Sequence, residues 1–283
     1  MTSPAETTAE AVDVGLFGPG SVTWRVQAEP ILWVGGIRAL FLQALHPLAM
    51  AGVAQHSSFR DDTWGRLRRT AEFVGVVTYG TTAEAVAAGE MVRRVHRGLR
   101  GVEPESGDRY VVSDPRLLLW VHCCQVECFL TTVQRAGLGL TAGESDRYVA
   151  EQVAAAEVVG IPRRIVPSSV AELTAYFEDV RPQLRSTEAA RTAARFLLRP
   201  PMPARIATLT PARPAWALLA ALAFASLPRW ARRMYGLPAI APTDLAIGLS
   251  CRVLASALNT LPATWRTGPH RRAALERLAR SQP

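Results

Sequence analysis

Five histidines, His46, His56, His96, His122 and His270, are the side chains of this sequence best suited to hold a metal or to move a proton near neutral pH. Four of them fall within the first 122 residues, and three of those sit in strongly apolar helical contexts. A buried imidazole without a partner costs roughly 1–3 kcal/mol, so each needs a carbonyl, an acid or a metal. His96 has the most telling neighbours. Val92, Gly89, Ala88 and Ala85 precede it on or beside one helical stripe, and all are small. A flat, wide ligand can lie close to such a face, with the imidazole as axial ligand to an iron. Tight packing of a second helix explains the same spacing equally well. No CxxCH motif is present, which excludes covalent c-type haem attachment.

A second constellation lies in GRLRRT. Arg66, Arg69, Thr70, Phe73 and Val77 share a stripe at 3-4 spacing, beside an apolar stripe of Trp64, Leu67, Ala71 and Val74. At that border the arginines can face a cavity, where they would hold a carboxylate or polarise bound oxygen. A solvated face with packed aliphatic stems is the plainer alternative. His46-Pro47 puts an imidazole at a helix break, where backbone groups lack partners. His122, Cys123 and Glu127 could form a metal site, but they match neither HExxH nor paired CxxC spacing. The cysteines of this stretch read as core. FGPGS follows no strand, so a phosphate loop is not expected.

These side chains need elements to position them, and the 283-residue sequence reads as helix after helix. Pro30 opens a segment to about Leu45, and Pro47 starts another to about Gln55. Asp61-Asp62 caps a helix to Tyr79, and Thr82 opens one ending at Gly101, followed by a polar loop over 102–112. Ser113-Asp114-Pro115 is a strong helix start, for a helix running to about Ala136. Helices are expected over Glu144–Val159, from Ser168-Ser169 to Val180, and over Thr187–Leu198, with three or four more in the tail. Alternating strand patterns are almost absent. The fold class is all-α: one helical domain, with a flexible leader over 1–14, a core over 15–198 and a basic helical tail over 199–283 packed on it.

All 32 basic residues counted as Lys or Arg are arginine, which rules out lysine chemistry. The net charge of +8 is uneven: from Arg199 onward, 12 arginines face only Asp244 and Glu276, leaving +10 there and −2 in residues 1–198. The start of the chain lacks the basic and apolar blocks of a secretory signal, so a reduced, cytoplasmic setting is expected. The apolar run Pro214–Pro228, at 15 residues, is short for a membrane span. It reads as a buried helix, or as a membrane-surface helix flanked by RWARRMY. Signals for nucleic-acid binding are missing.

Taken together, FGPGSVTWRV, RALFLQALHPLAMAGVAQHSSFRDDTWGRLRRT, VRRVHRGLRG, DPRLLLWVH and SDRYVAE resemble the MpaB oxygenase family, which includes the catalytic domain of latex-clearing rubber oxygenases. The resemblance covers roughly residues 15–185. It implies a globin-like helical core and a b-type haem that reacts with dioxygen. It places the proximal iron ligand at His96, and the small-residue stripe before it then puts Gly89 and Val92 on the cofactor face. Arg66, Arg69 and Thr70 fall on the catalytic, distal side, with His46 in the neighbourhood of the distal base. Arg69 stands where rubber oxygenases carry a lysine. Arginine stays protonated and is a poor iron ligand, which argues against rubber as substrate. The implied activity is a haem b-dependent oxygenase acting on a small-to-medium apolar, lipid- or isoprenoid-like substrate with dioxygen. Three alternatives stay open: a haem-binding protein without turnover, a membrane-surface protein docked through its tail, and a non-haem metal site using two or three of His46, His56, His96 and His122.

Overall fold

Local chemistry sets most helix boundaries. The computed structural model describes residues 12–57, 62–236 and 241–280, without the side chains of 241–243. Among these, the helices in chain order are α1 (Val22–Gln27), α2 (Leu32–Gln43), α3 (Pro47–His56), α4 (Thr63–Tyr79), α5 (Thr82–His96), α6 (Pro115–Arg135), α7 (Ala142–Val158), α8 (Val170–Val180) and α9 (Glu188–Leu198). The tail follows as α10 (Ala204–Leu209), α11 (Ala212–Ala225), α12 (Arg229–Met234), α13 (Ala241–Asn259), α14 (Ala263–Arg266) and α15 (Pro269–Ala279).

His46 has extended backbone, as a residue before proline must, and α2 and α3 meet there at 105°. Asp114 caps α6 by accepting from Arg116 N–H, with Pro115 in the first turn. Thr81 with Glu84, and Thr141 with Glu144, close reciprocal capping boxes at the starts of α5 and α7.

Two expectations are corrected. The helix expected to reach Gly101 stops at His96, and Arg100–Val102 (β1) pairs antiparallel with Arg109–Val111 (β2) in a small hairpin. These strands are three residues each, too short for an alternating pattern to show in sequence. A first helix, α1, precedes Pro30. Its cap is Ser21, whose side chain accepts from Trp24 N–H. The leader expected over 1–14 lies outside the described residues up to position 11. Asp13, near its end, is tied down: its carboxylate accepts from Gly15 N–H and Thr82 N–H, each at 2.8 Å.

One hydrophobic core runs from Val22 to Ala255 and draws on both segments of the chain. α2 lies at its centre, packed between α6 and α11. From the tail, Ala220, Ala223, Leu227 and Ala231 are fully buried in it. Phe224 meets Phe41 edge-on at 4.9 Å, and the Tyr235 hydroxyl donates to Phe41 O at 2.8 Å. Within this core Arg38 is only 1% exposed. Its guanidinium donates to both Glu127 carboxylate oxygens and to Ser226 O. Burial opposes the charge on Glu127, but the charge and hydrogen bonds of Arg38 hold its carboxyl below the usual range. The pair fixes α2, α6 and the end of α11 against one another.

Candidate functional site

His96 closes α5, and the chain turns there into the hairpin. Beside it lies a cavity of about 300 Å³ bounded by the end of α5, the start of α6 and the end of α7. Its walls are Arg93, His96, Arg97, Ser113, Leu118, Val159 and Gly160. That volume is at the lower edge of ligand pockets, roughly 300–1,000 Å³. The Nδ1 of His96 is buried with no hydrogen-bond partner. Burial also lowers its pKa, so the ring is neutral near pH 7 and keeps a lone pair for a ligand or proton. Arg93 donates to Val158 O, while Arg97 is exposed at the rim. Gly160 ends α7 with φ +90°, the left-handed conformation that favours glycine. A Cβ there would lie 3.1 Å from the Arg93 side chain.

The small-residue stripe before His96 has another use. A Cβ on Gly89 would lie 2.1 Å from Val158 O, so α5 and α7 are in backbone contact at this point. At Gly89 the stripe therefore faces α7, the tight packing that its spacing equally allowed. Ala85 is fully buried, and Val92 is half-buried outside the cavity walls.

The arginine constellation also differs from expectation. Arg66 is half-buried, with its guanidinium on Ser57 Oγ. Burial and the nearby Arg69 charge lower its pKa. Arg69 is exposed and pairs with Asp62 at 3.0 Å. Thr70 is exposed and donates to Arg66 O. None of the three lines the cavity beside His96. The physical reason is the cap: Asp62 opens α4 and offers its second carboxylate oxygen to Arg69 two turns on.

His46 lies elsewhere, against Trp120 at 5.9 Å between ring centres, with Nδ1 buried and unpartnered. Burial, with a contribution from Arg185, pushes its pKa down to about 4. His56 contacts Arg100 O and the Tyr110 hydroxyl, and His122 is pushed by burial to about 4. Among the described residues no three His, Cys, Asp or Glu side chains form a metal-ligating group, so the alternative of three histidines sharing a non-haem metal finds no such group there. The four cysteines are buried free thiols, as core residues should be.

Sequence reasoning missed Arg97, Ser113, Val159 and Gly160 as partners of His96. Ser113 and Gly160 were legible only as punctuation, a helix start and a helix stop. Punctuation does not say which ends meet.

The family model described as "ER-bound oxygenase mpaB/B'/Rubber oxygenase, catalytic domain" matches residues 24–280, a span from α1 through α15. No curated protein and no solved structure matches the chain.

Proposed function

We propose, from the premise that this chain belongs to the ER-bound oxygenase mpaB/B'/rubber oxygenase catalytic-domain family, that it is a haem b-dependent oxygenase with His96 as the proximal iron ligand. The observation that carries the reading is the half-buried, neutral imidazole of His96 beside a cavity, with its Nδ1 buried and unpartnered. This donor chemistry fits an axial ligand. Arg97, exposed at the rim, would pair with the carboxylates of the cofactor. A bound haem would supply the binding and activation of dioxygen. Leu118 and Val159 supply the apolar part of the wall, which favours a small-to-medium apolar, lipid- or isoprenoid-like substrate.

A second reading, a haem-binding protein without turnover, draws support from Arg69 and Thr70, which face solvent and leave the cavity without them.

The test is an absorption spectrum with added haemin. Wild type and His46→Ala should show a sharp Soret band, and His96→Ala should lose it. An unchanged band in His96→Ala would remove His96 as ligand. Oxygen uptake on adding an apolar alkene separates the oxygenase from the silent haem protein.

A further inference from the structure

We propose that the C-terminal helices dock in the plane of an anionic lipid bilayer, through an exposed apolar stripe on α13. Leu245, Leu249 and Val253 follow one another at four-residue spacing and are 81%, 63% and 62% exposed. On another side of the same helix Ile247, Cys251 and Ala255 are buried in the core. α13 therefore has two apolar faces, and the protein covers only one. Single exposed leucines are ordinary, but an apolar row over three successive turns marks an interaction surface. The tail adds Leu218 on α11, which packs against α13, and Trp265 on α14, 80% exposed.

Charge selects the occupant. Residues from Arg199 onward carry 12 arginines and two acids. One acid, Asp244, is already held by Arg229 at 2.8 Å and Arg232 at 2.9 Å. Among the described residues no other arginine of this segment has a carboxylate partner. Arg252 is exposed beside Val253, and Arg266 beside Trp265. The net positive charge of the segment disfavours a second copy of it and attracts anionic headgroups, while leucine and tryptophan enter the interfacial region. A helix lying on the bilayer, not one crossing it, fits the lengths. Among the described residues only α6 is by itself long and apolar enough to span, and it is largely a buried core helix; α2 and α3 reach that length only together, across their 105° bend. The docking surface is also tied to α4. Trp64 Nε1 donates to Pro201 O at 2.8 Å, and the Trp64 ring meets Trp216 of α11 edge-on at 4.8 Å. The inference stands independently of haem.

The test is flotation of the full chain with vesicles of phosphatidylcholine alone, or of phosphatidylcholine mixed with phosphatidylglycerol. The bound fraction should rise roughly tenfold or more with the anionic lipid and fall in high salt. Leu249→Glu combined with Val253→Glu should cut it by about the same factor while keeping the wild-type thermal transition. Should that variant unfold, the wild-type Trp265 environment gives a second readout: anionic vesicles should blue-shift the emission, and Trp265→Phe should lose most of that shift. Equal flotation on both vesicles, or flotation unchanged in a folded double variant, would overturn the proposal. So would a concentration-dependent dimer in sedimentation that the double variant abolishes.

Discussion

His46 shows how far one side chain can be read from its neighbours. It is 7% exposed, with its ring tilted against Trp120 and a nitrogen that finds no partner. The fold therefore prefers the neutral ring, and its pKa falls from 6.5 to about 4. The sign follows from linkage. Above pH 6.5 neither state carries the proton, and the native contribution is intact. As pH falls from 6.5 toward 4 the unfolded chain takes up the proton first, so stability declines by on the order of 3 kcal/mol. Urea unfolding between pH 7 and 4 should show this loss, and His46→Gln should flatten part of the slope. An identical slope in the variant would mean that other groups carry it, His96 and His122 being shifted in the same direction. That His46 sits at a break was legible from the following proline. That it faces Trp120 was not, because the contact joins α3 to α6.

Among the elements, α5 is the most instructive. Its small residues were compatible with a cofactor wall or with a packed helix, and spacing alone could not choose. The backbone of α7 arrives at Gly89, so packing is the outcome there. A side chain at this position must push Val158 away. Gly89→Val should cost about 1–3 kcal/mol by chemical denaturation. A neutral result would reopen the face as free space. The hairpin after α5 is the element that periodicity could not supply. Its three-residue strands are held by the register of Gly101 opposite Tyr110 and by Tyr110 packed with Ala51 and Leu117. Helix starts were more legible, because Asp62, Thr81, Asp114 and Ser169 act within three residues of their own position.

At the scale of the whole molecule, the tail is part of the core. α11 packs on α2 as α6 does, and Ser226 O accepts from both Arg38 and Arg135. A chain ending at Leu198 would expose Phe41 and leave Arg38 without one of its three acceptors. It should lack a cooperative thermal transition and bind a hydrophobic dye, since losses of this size exceed the usual margin of about 5–15 kcal/mol. A truncated chain that melts cooperatively near the wild-type temperature would show that residues up to 198 fold alone. The family match likewise runs on through the tail to residue 280.

Residue types and local spacing by themselves determined the all-helical class, the caps and breaks, the family, the absence of lysine chemistry and the concentration of positive charge in the last third. Each depends on neighbours in the chain or on a sum over it. Only the tertiary structure decided which helix ends enclose His96, that α7 closes the face of Gly89, that Arg69 turns to Asp62, and that α13 presents a second apolar face. Those outcomes are set by contacts between segments tens of residues apart. There a helical stripe states what a face is made of, and the packing of the other helices states what covers it.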